Sequence, residues 1–495
     1  MTPSDRRRSA SGSRQGGDDF QHLLAWNAAL CALLHRSDLV SLELEAVGAG
    51  NADDIVVRYA SQPSVFTQVR YAVDGSTPLN AAYFTSQKRP GGTSVLQKFL
   101  ATWTQLRKTE PSPHLVLVTN RLADSTDSTF TALDGRTSLL IPAMEHAPAG
   151  THLGAVREAW AAHLQVSETE LIDLLRSLEF RLSRTYAAEA DRAADLMAAL
   201  GMKSDEASLR LGIDRARRWV LEGVRRLHPD ELAQDIAELD LQTAPAADVL
   251  IVQTLARDPT PEDAVAVLDW VDLFEGDSPA GRRRTIDPDA YKSTMQPQLA
   301  ATAEELAASG VQRVLVRGAA RLATLFAVGA ALPRVRNIEL IRRQGRDLWS
   351  TDATPQRIEP LVTSTLAVDQ GRDIAVALAI SVDLTQDVVA FVKAGGLPVA
   401  DVITVALDQR ATDTSIPTAG HAVAVAQSVR DQVRNAVRSH PGTAIHLFLA
   451  CPAALALDLG HRWNRIADTT VYEDLNGSYQ AAFTIEACPW PSPGI

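Results

Sequence analysis

The sequence predicts a mixed α/β protein made of three successive parts, and three patterns support this fold class. In residues 18–150, short β-like runs bounded by Gly, Pro, Ser and Asn alternate with amphipathic helical segments, which predicts an α-β-β-β-α-β domain. Residues 151–242 are rich in Ala, Leu, Arg and Glu at helical spacing. Residues 290–495 repeat a strand–turn–helix–strand pattern, which predicts two Rossmann-like halves with parallel sheets.

The N-terminal elements follow from spacing and turn residues. Residues 1–17 are rich in Ser, Arg and Gly, and we expect them to be disordered. Apolar residues at helical spacing then predict a first helix. Three β-like runs predict an antiparallel meander, which a second helix and a buried strand follow. The predicted helices are residues 19–34 and 94–107, and the predicted strands are residues 40–46, 54–59, 65–72 and 114–119.

The middle of the chain predicts long helices, of which residues 206–227 are an example. One side of this helix is apolar, and Arg210, Arg217 and Arg225 lie near one another on the other side. These arginines form either a solvated face or a contact with a DNA backbone. Residues 243–289 contain several prolines and a basic run, so we expect an inter-domain linker.

The C-terminal repeat has one copy in residues 311–341 and another in residues 444–473. In such folds, ligands bind beyond the carboxyl ends of the strands, where helix N-termini present N–H groups. Three strand-to-helix turns are therefore candidate ligand contacts: Arg317-Gly318-Ala319, Ser381-Val382-Asp383 and Ala450-Cys451-Pro452.

The overall composition excludes several classes of protein. With 495 residues, 46% of them apolar, the chain can build several packed cores. Its net charge of −12 means that any contact with nucleic acid requires a local basic patch. Three cysteines without a CxxC pair are typical of a reducing compartment. No signal peptide or long apolar run is present in the sequence, so we expect a cytoplasmic protein without membrane contact.

Most nucleotide and metal motifs are absent from the sequence. There is no GxxxxGK(S/T) loop, and the eleven histidines do not fall at HExxH or HNH-type spacing. Cys451 follows a strand as a nucleophile elbow would, but it lacks the GxSxG context. It is either a catalytic thiol or a small apolar side chain beside a ligand pocket.

A possible metal site lies on the three N-terminal strands. Gln68 and Arg70 are two residues apart and share a strand face, and Asp54 lies on the neighbouring strand. A carboxylate and an amide oxygen can hold Mg²⁺ or another divalent metal, and Glu45 is a further candidate ligand. The alternative is that Gln68 and Arg70 form the ordinary polar face of a strand.

Two known families resemble the sequence. The stretches GDDFQHLLAWNAAL, GNADDIVV, FTQVRYAVDG, SVLQKFLATW and HLVLVTNR resemble the restriction-endonuclease-like PD-(D/E)xK nuclease domain of CBASS antiphage effectors. The stretches IHLFLACPAALALDLGHRW, TTVYE and YQAAFTI resemble the SAVED domain, a fused pair of CARF-like halves. The resemblance implies an effector that binds a cyclic oligonucleotide, with a trinucleotide favoured. A cGAS/DncV-like nucleotidyltransferase would supply this ligand, which drives homo-oligomerisation and the cleavage of double-stranded DNA.

The nuclease resemblance assigns roles to the strand residues and reveals one departure. Asp54 takes the place of the metal-binding acid, Gln68 takes the D/E position, and Glu45 assists with the metal. Arg70 stands where the family has lysine, and its guanidinium keeps the charge but does not readily lose a proton. The chain is then an active variant, a pseudo-nuclease or the product of an introduced substitution. Lys88 or Lys98 is a candidate source of a migrated ammonium group.

The sensor must offer cations or N–H donors to phosphates, and flat or apolar surfaces to bases. Arg317 and Arg321 suit phosphates or base edges, and Asp383 is either a base reader or a helix cap. A loop before a helix, residues 414–421, is expected to close over the ligand. Trp349 and Trp463 either stack on bases or are buried. The candidate ligand contacts are Arg317, Gly318, Arg321, Ser381, Asp383, Thr385, Thr418, His421, Cys451 and Pro452.

Three functions therefore compete. The first is an effector that senses a cyclic oligonucleotide and cuts DNA, and the second is a sensor whose impaired nuclease-like domain binds DNA or a partner without cutting. The third is a doubly wound small-molecule enzyme with Cys451 or Asp383 as a catalytic group, for which the sequence has no cofactor fingerprint.

Overall fold

A computed structural model describes the chain as two compact units, Met1–Pro245 and Ala246–Ile495. The described residues are 3–46, 52, 54–72, 77–87, 89, 91–408, 412, 414–440 and 442–487. Among them, no helix has the length and apolar character needed to cross a membrane.

The N-terminal unit has, in its described part, a six-stranded sheet with the order β5-β4-β3-β2-β1-β6. The first three strands form the predicted antiparallel meander, and β4 and β5 extend the sheet in parallel. The strands are β1 (Leu39–Leu44), β2 (Ile55–Tyr59), β3 (Val65–Arg70), β4 (His114–Thr119), β5 (Leu178–Arg181) and β6 (Arg226–Leu227).

The helices of this unit bury apolar side chains, and most of them have a side-chain cap at their start. In α3, for example, Ser94 and Gln97 form a capping box, and Phe99 and Trp103 are buried. The helices are α1 (Pro3–Leu34), α2 (Ala81–Thr85), α3 (Val95–Leu106), α4 (Ser128–Thr131), α5 (Ala143–His146), α6 (His152–Leu164), α7 (Glu168–Arg176), α8 (Tyr186–Ala199), α9 (Glu206–Leu221) and α10 (Pro229–Ala237).

Three expectations for this unit differ from the structure. Helix α1 begins at Pro3, inside the tail predicted to be disordered, because extending a formed helix costs far less than starting one. The middle segment is not a separate helical extension, since β5 and β6 from it complete the N-terminal sheet. The predicted helix over residues 206–227 ends at Leu221, because Gly223 adopts the left-handed φ of 73°.

The C-terminal unit contains, among its described residues, two sheets with the orders β11-β10-β9-β7-β8 and β12-β14-β13-β15-β16-β17. Strands β7 to β10 are parallel to one another, as are β13 to β16, and the antiparallel strands β11, β12 and β17 lie at sheet edges. The strands are β7 (Asp248–Gln253), β8 (Ala266–Asp269), β9 (Arg313–Arg317), β10 (Glu339–Gln344), β11 (Asp347–Ser350), β12 (Val362–Ala367), β13 (Asp373–Ala379), β14 (Val399–Ala406), β15 (Ile445–Ala450), β16 (Thr469–Asp474) and β17 (Tyr479–Ile485).

The repeat in the C-terminal sequence is confirmed as two strand–helix–strand units, β9-α12-β10 and β15-α15-β16. The helices of this unit are α11 (Gln296–Ala308), α12 (Leu322–Ala331), α13 (Thr385–Gly395), α14 (Ala419–Ser439) and α15 (Ala453–Arg462). A π-helical turn, Tyr291–Met295, precedes α11.

Residues 243–289 do not form the predicted linker. Their apolar runs DVLIVQ and AVLD are strands β7 and β8 of the first sheet, and the compact unit starts at Ala246. The prolines misled the prediction because they lie outside these strands: Pro259 and Pro261 are in the connection between β7 and β8, and the other three precede or follow the two strands.

Helices α12 and α15 pack closely enough to need glycine at the crossing. A Cβ on Gly329 would lie 2.1 Å from the carbonyl oxygen of Leu457, and a Cβ on Gly460 would lie 2.0 Å from that of Phe326. Each half therefore supplies one glycine to the contact that holds the two Rossmann-like halves together.

Candidate functional site

A cavity of about 700 Å³ lies in the C-terminal unit, at the carboxyl ends of parallel strands from both sheets. Residues after β9 and at the end of β10 line it from the first half, and residues after β13 and β15 line it from the second. The N-termini of α12, α13 and α15 start at its wall. This is the location that the strand–helix repeat predicted for a ligand.

The cavity brings five of the predicted residues together: Arg321, Ser381, Asp383, Cys451 and Pro452. Asp383 lies one residue before Leu384, the N-cap of α13, and its Oδ1 accepts hydrogen bonds from the Thr385 backbone N–H at 3.0 Å and the Thr385 hydroxyl at 2.6 Å. These bonds lower the pKa of Asp383, so its charge is retained near neutral pH.

Arg317 and Gly318 do not line the cavity. The buried guanidinium of Arg317 contacts Asp258 at 2.7 Å and Asp263 at 2.8 Å, so it stabilises the first half. Gly318 has a φ of 94°, and a Cβ there would lie 2.3 Å from the Val252 carbonyl oxygen. Both residues shape the turn after β9, and their contact with a ligand stays a prediction.

Thr418 and His421 belong to a different part of the unit. His421 lines a second hollow of about 800 Å³, which shares no lining residue with the first cavity. Thr418 caps α14, and its hydroxyl lies 2.8 Å from Nδ1 of His421. The structure therefore does not bring these two residues to Arg321.

Cys451 and the two tryptophans fit their structural alternatives. Burial raises the pKa of the Cys451 thiol to about 12, which leaves almost no thiolate at neutral pH. Trp349 and Trp463 are buried in the core, and the Trp463 indole N–H donates to Thr469 Oγ1 at 2.9 Å. None of these side chains has the exposure that its catalytic or stacking role requires.

The sequence analysis missed the hairpin between β16 and β17, which forms a wall of the cavity. Tyr472 and Tyr479 pack around Phe448 there, with ring centroids 4.6 and 4.8 Å from its ring. Glu473 and Asp474 add carboxylates beside them. The Tyr-Glu-Asp run at the end of TTVYED was the available signal. In this kind of sheet, ligands bind beyond the carboxyl ends of the strands.

In the N-terminal unit, Asp54, Gln68 and Arg70 converge as predicted. The Gln68 carboxamide N–H and the Val69 backbone N–H donate to Asp54 Oδ2, the latter at 2.6 Å. Arg70 Nη2 lies 3.4 Å from Gln68 Oε1. Glu45 is not part of this group, because its carboxylate pairs with Arg225.

The Asp54–Gln68 pair fits a divalent cation after one rotation. Gln68 presents its nitrogen to Asp54, so the carboxamide must turn to offer Oε1. Mg²⁺ often binds one or two protein oxygens and completes its shell with water and substrate phosphates. Asp54 and Gln68 suit that pattern, although the described residues contain no group of three His, Cys, Asp or Glu side chains suited to a metal.

A basic groove of about 870 Å³ adjoins these residues in the N-terminal unit. Lys98 of α3 reaches it, although the sequence placed this lysine on a helix beyond the strands. Lys88 lies outside the described residues. Within the described part of the unit, no carboxylate pairs with the four cations that line the groove, which are Arg70, Arg89, Lys98 and Arg121.

Arg210 and Arg217 of α9, and Arg225 beyond its end, do not provide a second basic surface. Arg210 pairs with Glu206, Arg217 lies 2.5 Å from Asp19, and Arg225 pairs with Glu45. Their charges are compensated at the protein surface, which fits the solvated-face alternative.

The C-terminal unit thus consists of paired Rossmann-like halves with a cavity at their strand ends. Residues 295–485 match the family described as SAVED, the SMODS-associated and fused to various effectors sensor domain. The prediction of a C-terminal SAVED domain is therefore confirmed. The nuclease character of the N-terminal unit stays a prediction.

Similarity to known proteins extends over most of the chain. CD-NTase-associated protein 4 of Enterobacter hormaechei subsp. hoffmannii (strain UCI 50) is 22% identical over 511 residues, which cover 95% of this chain and 98% of the relative. The structure of an Acinetobacter baumannii Cap4 SAVED/CARF-domain containing receptor with 3'3'3'-cAAA aligns with 95% of this chain and 99% of its own, at 13% identity and a TM-score of 0.45. The same receptor with 2'3'3'-cAAA covers 95% and 98%, at 14% identity and a TM-score of 0.43.

Proposed function

We propose that this protein is an antiphage effector of the CBASS type, which binds a cyclic oligonucleotide through its SAVED domain and cuts double-stranded DNA. The cavity at the strand ends of both halves carries the proposal. It lies where paired Rossmann-like halves bind ligands, and Arg321 offers a cation at its wall. A cyclic trinucleotide is the favoured ligand class, supplied by a cGAS/DncV-like nucleotidyltransferase.

Ligand chemistry fits the lining of this cavity. Arg321 suits one phosphate, and the half-buried ring of Tyr479 suits the face of a base. Carboxylates such as Asp383 and Asp474 suit the amino groups of base edges. A volume of about 700 Å³ lies in the usual range for small-molecule sites.

For the N-terminal unit we propose phosphodiester hydrolysis. Asp54 and Gln68 would hold a divalent metal, which when bound lowers the pKa of water and stabilises charge on the scissile phosphate. Arg70 holds a phosphate oxygen beside them, and Lys98 and Arg121 contact the flanking backbone. Ligand-driven assembly of several chains is the proposed link between sensing and cleavage.

A single assay tests this function. Linear double-stranded DNA is incubated with the full chain, Mg²⁺ and a panel of cyclic di-, tri- and tetranucleotides, while light scattering follows the particle size. We expect DNA loss and larger particles with one cyclic trinucleotide only. DNA loss that is unaffected by every cyclic oligonucleotide would contradict the proposal.

The second candidate is a sensor that binds DNA without cutting it, and Arg70 favours it. A guanidinium does not readily transfer a proton, so a step that uses the ammonium of lysine would be slow. Under this candidate the wild-type chain retains DNA and forms ligand-dependent oligomers without degrading it, and Arg70→Lys gains cleavage. Equal cleavage by both forms would exclude it.

A further inference from the structure

Glu473 of β16 lies at the wall of the cavity and is almost completely buried. It is 5% exposed, and Oε2 has no hydrogen-bond partner among the described residues. Its carboxylate accepts a hydrogen bond from the backbone N–H of Ala323, the second residue of α12. A carboxylate from the second half therefore occupies the helix N-terminus of the first half, which is a natural site for an anion.

The corresponding contact at the N-terminus of α15 is made by a neutral side chain. Gln344, at the end of β10, accepts a hydrogen bond from the backbone N–H of Ala454 at 3.2 Å. Ala454 is the second residue of α15, so each half caps a helix of the other half. Glu473 at α12 carries a negative charge when it is ionised, whereas Gln344 at α15 is neutral. The two ends of the cavity therefore differ in charge.

Arg321 stands between Glu473 and the open cavity. Its Nη1 lies 3.6 Å from Glu473 Oε1, which is too long for a good hydrogen bond, and its Nε has no partner among the described residues. The Arg321 backbone N–H donates to Thr254 Oγ1 at 3.0 Å, which fixes the backbone of this residue. Its guanidinium keeps N–H donors for a ligand.

The charged and titratable groups that face Glu473 come from three elements. Arg321 precedes α12, Asp474 follows on the same strand, and the π-helical turn places Tyr291, whose buried hydroxyl has no described partner. Asp383 and Asp387 line the same cavity from the start of α13. Burial raises the pKa of Glu473 to about 7, although Arg321 and the Ala323 N–H act in the opposite direction.

We propose that Glu473 sets the affinity of the sensor, because its carboxylate competes with a ligand phosphate for Arg321 at the cavity wall. This inference rests on the proposed function and adds a competing group to it. An ionised Glu473 repels the phosphate and retains Arg321, whereas a protonated Glu473 does neither. Ligand binding is therefore accompanied by proton uptake at Glu473.

The sign of the pH dependence follows from this competition. Below pH 7 Glu473 is largely neutral, and the ligand meets no opposing charge from it. Above pH 7 Glu473 is largely ionised and must take up one proton when a ligand binds. The affinity for the ligand therefore falls about tenfold per pH unit. The expected affinity at pH 8 is thus about tenfold weaker than at pH 6.

Titration calorimetry of the full chain with a cyclic trinucleotide tests the inference at pH 6 and pH 8. Glu473→Gln keeps an acceptor for the Ala323 N–H, and it should bind at least as tightly as wild type at pH 8, with less than about a twofold change between the two pH values. Measurements in buffers of different protonation enthalpy should show proton uptake by wild type only. Glu305→Gln, at an exposed position of α11 outside the cavity, is the matched control and should keep the pH dependence of wild type.

Two results would overturn the inference. If Glu473→Gln binds more weakly at both pH values, the carboxylate attracts the ligand instead of competing with it. If wild-type affinity does not change between pH 6 and 8, no proton is linked to binding. Failure of the wild type to bind any cyclic oligonucleotide overturns the proposed function itself, and thermal melting of the variant confirms that it is folded.

Discussion

The basic groove of the N-terminal unit and the cavity of the C-terminal unit carry opposite charges. Of the described side chains that line the groove, four are cationic and one, Asp18, is acidic. The cavity has one cation, Arg321, and four carboxylates, which are Asp383, Asp387, Glu473 and Asp474. A continuous polyanion such as DNA suits the groove, whereas the cavity suits a compact ligand with few phosphates and several amino-bearing base edges.

Under the proposed function, this difference lets a chain with a net charge of −12 bind DNA. The negative charge includes the carboxylates of the cavity, and basic side chains that suit DNA are concentrated in the groove. Each region can then be disrupted without the other, and the following variants use that separation.

Asp54→Ala should have the largest effect on activity. Removal of the carboxylate that accepts from Gln68 takes away the proposed metal ligand, so DNA cleavage should fall by more than about 100-fold. Ligand binding should not change, because the residue belongs to the other compact unit. Cleavage is followed on linear DNA and binding by calorimetry, and equal cleavage by Asp54→Ala and wild type would show that the site is elsewhere.

Gly460→Ala should damage the cavity and spare the groove. Its Cβ would meet the Phe326 carbonyl oxygen at 2.0 Å, so we expect a loss of about 1–3 kcal/mol of stability and much weaker ligand binding. Gly395→Ala on α13 is the matched control, because only Leu397 lies near its Cβ, at 4.0 Å, and it should stabilise the chain by about 0.4–1 kcal/mol. Chemical unfolding measures the stability of both variants. Equal changes in stability would contradict this prediction.

Arg321→Ala should weaken the binding of a cyclic trinucleotide by about 10- to 100-fold, the value of one charge-assisted hydrogen bond. Arg334→Ala is its control, since this exposed arginine lies in the same unit but does not line the cavity. Affinity is measured by calorimetry at fixed salt. A loss of affinity in the control alone would place the phosphate contact outside the cavity.

Lys98→Gln should have the smallest effect, a loss of about threefold in DNA affinity at low salt. The slope of log affinity against log salt should fall by about one, because one phosphate contact is lost. Lys108→Gln is the control, as Lys108 follows the same helix but does not line the groove. An unchanged slope for Lys98→Gln would show that Lys98 does not contact DNA.

Local patterns were sufficient for much of the fold. The alternation in residues 54–70 predicted β2 and β3 and the convergence of Asp54, Gln68 and Arg70, because side-chain direction in a strand has a fixed period. The repeated strand–helix units likewise predicted the position of the cavity, since parallel strands end on one side of their sheet.

Contacts between distant segments could not be predicted in the same way. Arg317 is held by Asp258 and Asp263, which the sequence placed in a linker. Lys98 reaches the groove only because α3 packs beside the meander. The cap of Glu473 on α12 joins residues 150 positions apart, and no local pattern reports such a pairing.

The most direct test of the account is ligand-dependent DNA degradation by the full chain, with Asp54→Ala and Arg321→Ala measured beside the wild type. We expect wild type to degrade DNA with Mg²⁺ only when a cyclic trinucleotide is present. Asp54→Ala should bind the ligand without cutting, and Arg321→Ala should recover cutting only at about 10- to 100-fold higher ligand concentration. Degradation by wild type that is the same with and without every cyclic oligonucleotide would contradict the account.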